Sequence, residues 1–212
     1  MVPKDVTLPS IYDLKPKFQA LLRPLCAALA KAGITANQVT LFACLISIAH
    51  GLWLALADDK SLPLLLLPLT LFIRMALNAI DGMLAREFDM KSKLGAILNE
   101  LTDVISDAAL YLPFALIAGV SAPLIVLLVI AALLTEMIGV IGLQIGASRR
   151  YDGPFGKSDR AVFFGLLGLV LGLGVAPGIW LDILLGVALL ASAFTIFNRA
   201  RGALSEKGGS ST

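Results

Sequence analysis

The 212-residue sequence predicts an all-α integral membrane protein, with six transmembrane helices preceded by a cytoplasmic interfacial amphipathic helix. Hydrophobic residues make up 58% of the chain, and the mean hydropathy is +0.89. Both values exceed those of a soluble globular domain, which is roughly half apolar. The apolar residues are also gathered into six runs, each close to the ~20 residues that a helix needs to cross a bilayer.

The chain divides into three regions. We expect an N-terminal segment with a juxtamembrane helix at 1–33, a six-helix membrane domain at 34–201 and a flexible cytoplasmic tail at 202–212. In the first region, apolar residues recur at helical spacing and lysines and arginines occupy the other positions, which is typical of a helix lying on a membrane surface. Pro24 is expected to bend this helix.

The six spans begin after Gly33, which can end the amphipathic helix. Thr35 and Gln38 have the spacing of a capping box that opens the first span. The runs assigned to the spans are 38–57, 62–80, 95–119, 122–146, 161–178 and 180–198.

The distribution of cations predicts the orientation. With six spans, both termini and the loops at 86–93 and 148–160 share one side of the membrane. That side holds all but two of the 17 lysines and arginines, the exceptions being Lys60 and Arg74. Because cytoplasmic loops collect cations, both termini are expected in the cytoplasm, and the protein in a bacterial-type inner membrane.

A group of polar residues interrupts the second and third spans. Asn78 and Asp81 are three residues apart, and Asn99, Asp103 and Asp107 repeat every four, so each set lies on one helix face. A short cytoplasmic loop joins the two helices, so we expect these faces to meet. Oxygen ligands of this kind favour a hard divalent ion such as Mg²⁺, Mn²⁺ or Ca²⁺.

Small residues accompany this group. Gly82, Ala85 and Gly95 leave bare helix surface on which a flat ligand can lie, or they simply permit close helix packing. Asn37 and Thr40 begin the first span at the same depth, where capping and ligand contact are both open roles.

The order and spacing of these residues resemble a family signature. In the CDP-alcohol phosphotransferase family the signature is Asp-x2-Asp-Gly-x2-Ala-Arg-x8-Gly-x3-Asp-x3-Asp. This chain reads Asn78-x2-Asp81-Gly82-x2-Ala85-Arg86-x8-Gly95-x3-Asn99-x3-Asp103, which keeps every spacing and six of the eight residue types. The amphipathic helix and the six spans extend the resemblance over essentially the whole chain.

The resemblance implies transfer of a phosphatidyl or related group from a CDP-linked donor to an alcohol, with release of CMP. It implies Asp103 as the catalytic base and one or two Mg²⁺ or Mn²⁺ ions as cofactor. The metal positions would be Asn78, Asp81, Asn99 and Asp103, with Asp107 as a further candidate. The positions at the CDP group would be Asn37, Thr40, Asp81, Gly82, Ala85, Arg86 and Gly95. The resemblance also implies a homodimer.

Two asparagines depart from the signature. Asn78 and Asn99 replace carboxylates, so weaker metal binding, one metal instead of two, or loss of activity is open. Asp107 is a candidate replacement ligand, the alternative being a hydrogen bond to another span. A catalytically weakened relative that binds CDP-lipid or nucleotide without efficient turnover is therefore the alternative function, and a small transporter is a third hypothesis.

Cations near the fifth and sixth spans suggest the acceptor. Lys157, Arg160 and Arg199 are predicted to bind an acceptor phosphate, with glycerol 3-phosphate as first choice, although positive-inside topology alone also places cations here. Glu136 in the fourth span needs a partner or water. The expected partners are CDP-diacylglycerol, a small alcohol and the lipid bilayer, and no nucleic acid is expected.

Overall fold

The computed structural model describes residues 11–206, with side chains from residue 17 onward. All regular structure within this range is helical. The helices are α1 (Ile11–Lys31), α2 (Ala36–Leu56), α3 (Ser61–Glu87), α4 (Lys93–Tyr111), α5 (Ala122–Gln144), α6 (Lys157–Gly172) and α7 (Ile179–Ser205), and a 3₁₀ turn at Leu112–Leu116 continues α4. The prediction of an all-α protein is confirmed.

Four of the helices are long and apolar enough to cross a membrane, namely α2, α3, α5 and α7. The other two predicted spans form shorter helices. The run at 95–119 leaves the α-helical conformation at Leu112, next to Pro113, because proline cannot donate a backbone hydrogen bond within a helix. The run at 161–178 is helical only to Gly172, and a left-handed turn follows at Gly174 (φ +89°).

The C-terminal boundary differs from the prediction. The sequence predicts a flexible tail from residue 202, but α7 continues to Ser205. Residues 207–212 lie outside the described range. At the other end, α1 is a helix as expected, while its position on the membrane surface stays a prediction.

Capping residues fix where two site-bearing helices begin. Gly33 adopts φ +77° after α1, and Thr35 and Gln38 form the predicted capping box of α2. The Ser92 hydroxyl accepts a hydrogen bond from the backbone N–H of Gly95 at 2.9 Å and so caps α4. These caps set the register of the first turns of α2 and α4, where Asn37 and Gly95 lie.

Helix packing arranges α2 against both α3 and α4, α3 against α6, and α5 against α7. In the main apolar core the rings of Tyr111 and Phe164 stack with centroids 4.0 Å apart, which ties α4 to α6. Large apolar side chains such as Phe42, Phe72 and Phe194 are exposed on the outer faces, as expected where helices meet lipid.

We expect Gly51→Ala to destabilise the protein, because α2 approaches α4 closely at this glycine. A methyl group on Gly51 would overlap the backbone carbonyl oxygen of Ala109, and overpacking of this kind costs about 1–3 kcal/mol. Thermal unfolding in detergent micelles measures the loss. Gly186→Ala in α7 is the matched control, since a methyl group there meets no neighbour within 4 Å and alanine favours a helix. Equal unfolding temperatures for the two variants would contradict the close approach.

Candidate active site

The beginning of α2, the end of α3 and the beginning of α4 form one polar corner. The Thr40 hydroxyl donates a hydrogen bond to Asp81 Oδ2 at 2.7 Å, and both residues are buried. A Cβ on Gly95 would lie 2.7 Å from Asn37 Oδ1, so these two residues are in direct contact. Four residues that the sequence assigned to the CDP group are therefore neighbours in the fold.

The small residues near the end of α3 have different surroundings. A Cβ on Gly82 would lie 3.1 Å from the guanidinium nitrogens of Arg86, so the Arg86 side chain folds back over the glycine. Ala85 packs against a small apolar cluster that includes Cys26 and Leu84. Ala85 therefore serves helix packing, the second of the two roles considered for it. At Gly82, a ligand could reach the helix surface only if the exposed Arg86 side chain moved away.

Three cationic or amide groups surround one oxygen of Asp103. Lys157 Nζ lies 2.5 Å from Asp103 Oδ1, Asn78 Nδ2 donates to the same oxygen at 3.3 Å, and an Arg74 nitrogen lies 3.5 Å away. The structure therefore brings Asn78, Asp103 and Lys157 together from α3, α4 and α6. The Asp103 side chain is 15% exposed, so a small molecule can reach it. Asn99 is half-buried one turn earlier on the same face of α4.

A second carboxylate, Asp107, has both of its oxygens hydrogen-bonded to arginines of the protein. Its Oδ1 accepts a hydrogen bond from Arg74 at 2.6 Å, and its Oδ2 accepts from Arg160 at 3.0 and 3.2 Å. These contacts agree with the alternative that Asp107 hydrogen-bonds to other helices. With both oxygens held by guanidinium groups, Asp107 is not available as the replacement metal ligand considered above.

Arg160 and Arg199 are also committed to internal partners. Arg160 is 0% exposed and donates to Thr135 Oγ1 at 2.9 Å and Glu136 Oε1 at 2.8 Å, besides Asp107. Arg199 is 2% exposed and donates to the backbone carbonyl oxygens of Thr135 and Asp152. These contacts weigh against the acceptor-phosphate role predicted for both arginines. Of the three predicted cations, only Lys157 remains partly exposed, at 31%.

Sequence reasoning missed the contribution of Arg74. Besides Asp107 and the Asp103 carboxylate, it donates to the backbone carbonyl oxygen of Asp103 at 3.0 Å. The signal was present, because Arg74, Asn78 and Asp81 recur at the four- and three-residue intervals of one helix face. An arginine in an apolar run is expensive unless it is paired or functional.

The loop between α5 and α6 is anchored to the end of α7. Arg150 donates two hydrogen bonds to Asp152, at 2.8 and 2.9 Å, and a third to Glu206 at 2.8 Å. The Arg150 guanidinium holds the pKa of the Asp152 carboxyl below its usual value. Hydrogen bonds from Ser148 likewise lower the pKa of Glu206. These contacts hold the loop in place, and therefore also the position of Lys157, the first residue of α6.

The donor set of the polar corner fits a hard divalent cation. Within residues 17–206 no three histidine, cysteine, aspartate or glutamate side chains are grouped so as to hold a metal. A site here would instead combine the carboxylates of Asp81 and Asp103 with the amide oxygens of Asn78 and Asn99. Oxygen donors of this type suit Mg²⁺ or Mn²⁺, and two carboxylates balance the charge of one such ion.

We expect Asp107→Asn to destabilise the fold strongly. The change removes the carboxylate that Arg74 and Arg160 share, and these arginine side chains are 4% and 1% exposed. Arg74 keeps only the Asp103 carboxylate at 3.5 Å and Arg160 keeps Glu136, and breaking a buried ion pair costs about 3–5 kcal/mol. Chemical unfolding in mixed micelles measures the effect. Glu87→Gln is the matched control, because Glu87 pairs with Arg23 in an exposed ion pair and such pairs contribute little. If the free energy of unfolding fell no further in Asp107→Asn than in the control, the ion pairs of Asp107 would not be needed to stabilise the fold.

The sequence is similar to known membrane proteins and enzymes. The model of the CDP-alcohol phosphatidyltransferase family matches residues 33–197. The inner membrane protein YnbA of Escherichia coli K12 is 48% identical over 195 residues, covering 92% of this chain and 96% of that protein. The archaetidylinositol phosphate synthase of Pyrococcus horikoshii is 32% identical over 103 residues, covering 49% of this chain and 52% of that protein.

The fold is also similar to solved structures. A crystal structure of Mycobacterium tuberculosis phosphatidylinositol phosphate synthase, PgsA1, with CDP-DAG bound superposes with a TM-score of 0.71 at 19% identity, covering 86% of this chain and 92% of that one. A structure of the same enzyme with manganese and citrate gives a TM-score of 0.70 at 20% identity, covering 86% and 88%.

These findings and the four apolar helices indicate an integral membrane protein, and the similarity to YnbA supports the inner membrane. The family match extends over most of the chain and includes every residue of the polar corner. The chain belongs to the CDP-alcohol phosphatidyltransferase family and is a CDP-alcohol phosphotransferase of phospholipid synthesis.

Proposed function

We propose that this protein transfers a phosphatidyl group from CDP-diacylglycerol to a small alcohol and releases CMP at the cytoplasmic face of the membrane. The observation that supports this most directly is the contact of Asn78 in α3 with Asp103 in α4. Asp81, beside Thr40, lies one turn after Asn78 on the same face of α3, and Lys157 lies beside Asp103. The bound CDP-DAG in the similar PgsA1 structure supports a CDP-lipid as donor.

The residues of the corner suit this chemistry. In the transfer, the alcohol oxygen forms a bond to the phosphorus of the phosphatidyl group, the bond from that phosphorus to the CMP oxygen breaks, and the alcohol proton passes to Asp103. A modest base suffices, because bond breaking leads in a loose phosphoryl transition state. Lys157 and Asn78 hold one oxygen of Asp103, which fixes the direction of the carboxylate.

We include one divalent cation in the proposal, held by Asp81, Asp103, Asn78 and Asn99. When bound, such an ion supplies positive charge at the donor pyrophosphate. The manganese in the similar PgsA1 structure supports metal dependence, and both Mg²⁺ and Mn²⁺ suit the proposed oxygen ligands.

An apolar groove between α3 and α6 supports the lipid part of the donor. The groove encloses about 470 Å³. Arg74, Asn78 and Lys157 lie at its polar end, and apolar residues line the rest, including Pro68, Leu71, Phe72, Met75, Ala161, Val162, Leu166 and Leu169. Acyl chains can stay in this groove while the CDP group occupies the corner, so the donor need not leave the bilayer.

We also propose the finer topology that the sequence suggested. The helices α4 and α6 pack along α2 and α3 respectively, so we place all six of α2 to α7 across the bilayer. The cation distribution then puts both termini and the site in the cytoplasm. A homodimer, with α1 on the membrane surface, completes the arrangement that the family resemblance implies.

The alternative is a weakened relative that binds CDP-lipid or nucleotide without efficient turnover. Asn78 and Asn99 favour it, because two of the four signature carboxylates are absent. The two functions differ in one measurable product, CMP.

We expect purified protein to release CMP from CDP-diacylglycerol only when an alcohol acceptor and a divalent metal are present. Asp103→Asn should lower the rate by about 10²–10⁴, because removing a positioned base has effects of that size. Asp81→Asn should raise the metal concentration needed for half-maximal activity, because an amide binds a hard cation less strongly than a carboxylate does. Asp58→Asn is the control, since Asp58 is exposed in the loop between α2 and α3.

The assay separates the two functions. Donor binding without CMP release, under any metal and acceptor, would establish the binding protein and exclude the transferase. Full activity in Asp103→Asn would remove Asp103 from the mechanism.

We expect Asn78→Asp and Asn99→Asp each to increase the affinity for Mn²⁺. A carboxylate binds a hard divalent ion more strongly than a neutral amide does, and paramagnetic resonance of free Mn²⁺ measures binding without any turnover. Asn198→Asp is the matched control, because it adds the same charge on the exposed side of α7. Unchanged affinity in both variants would show that Asn78 and Asn99 do not face the metal.

A further inference from the structure

One carboxylate, Glu136 of α5, lies among three arginines. Its Oε1 is 2.8 Å from Arg160, and its Oε2 is 3.7 Å from both Arg149 and Arg199. The arginines come from the start of α6, the loop before it and the end of α7. The Glu136 side chain is 11% exposed. Four separate segments thus build a cluster, which we call the arginine cradle. Arg149 also pairs with Glu100, and Arg160 with Asp107, but Glu136 contacts all three arginines.

The arginine cradle has the composition of a phosphate site. Guanidinium groups are the side chains that best bind phosphate, through paired charged hydrogen bonds. In this chain the anion inside the cradle is supplied by Glu136. Near the base, Lys157 lies 2.5 Å from Asp103, so it too has a carboxylate partner.

A phosphate entering the cradle would meet this carboxylate. It would have to separate Glu136 from Arg160, whose side chain is 1% exposed, and removing one partner from a buried ion pair is strongly unfavourable. The displaced carboxylate would then lie beside a second anion, and like charges at such separations repel. An uncharged hydroxyl compound causes neither loss.

We propose that the acceptor alcohol of this enzyme carries no phosphate, because Glu136 fills the arginine cradle that a phosphorylated acceptor would need. The acceptor class is therefore a polyol or amino alcohol without net negative charge, in place of the glycerol 3-phosphate that the sequence suggested. The inference rests on the proposed transferase function and specifies its second substrate.

The first experiment measures phosphate binding and needs no turnover. The full chain in micelles is titrated with inorganic phosphate at constant ionic strength, and thermal unfolding is followed. We expect no shift for the wild type and a rise of several degrees for Glu136→Ala, because a ligand that binds the folded state stabilises it. Glu87→Ala is the control, since it removes a carboxylate from an exposed arginine pair. If Glu136→Ala does not fold, Glu136→Gln removes the charge while keeping the side-chain volume.

The second experiment compares acceptors in matched pairs. Glycerol is tested against glycerol 3-phosphate, and inositol against inositol 1-phosphate, with CMP release as the readout. We expect the unphosphorylated member of a pair to give a kcat/KM higher by about tenfold or more, because a buried charge without a partner is strongly discriminated against.

The outcomes separate the two proposals. Saturable phosphate binding by the wild type, or preference for the phosphorylated member of a pair, would overturn the inference, as would a folded Glu136 variant that gains no phosphate binding. A different pair of results separates the two proposals. If no acceptor leads to CMP release, the transferase proposal is wrong. If phosphate nevertheless binds the Glu136 variant and not the wild type, the occupation of the arginine cradle by Glu136 is still confirmed.

Discussion

The ion pairs of Asp107 are the interaction on which the rest of the structure depends. This carboxylate of α4 lies between Arg74 of α3 and Arg160 of α6, with contacts of 2.6 and 3.0 Å. In a water-poor interior none of these three charges is tolerable alone. The pairing therefore fixes three helices relative to one another, and the register of α4 against α3 follows from it. Asp103, one turn earlier on α4, takes its position from the same contact.

The start of α6 shows how one helix turn serves two purposes. Lys157 and Arg160 are three residues apart, so the sequence suggested that they point together toward one ligand. In the structure Lys157 contacts Asp103 at the edge of the polar corner, whereas Arg160 is buried against Asp107, Thr135 and Glu136. The buried arginine holds α6 in place, and the lysine at its open end can then reach the base and border the groove between α3 and α6.

The sequence predicted those features that depend on local spacing. The capping box at Thr35, the common face of Asn78 and Asp81, and the meeting of α3 with α4 all follow from intervals of three or four residues, and the structure agrees. The partners of Arg160 and Arg199 could not be predicted in this way, because Glu136 is 24 residues from Arg160 and its contact depends on how α5 packs. The charge pattern therefore predicts a ligand for Arg160 and Arg199, although their partners lie within the chain. Charge counts alone cannot distinguish these cases.

At Asn78, where the family signature has aspartate, the chain loses a carboxylate ligand but gains a hydrogen-bond donor. Its amide nitrogen donates to Asp103 Oδ1 at 3.3 Å, a contact that the aspartate of the signature cannot make, because two carboxylates at that distance repel. The substitution therefore lowers the negative charge around Asp103 and adds a donor to it at the same time. With fewer carboxylates to neutralise, the corner needs less metal charge, and Lys157 supplies a fixed positive charge at the same oxygen. The two asparagines are thus consistent with a site that retains its base while relying on fewer ions.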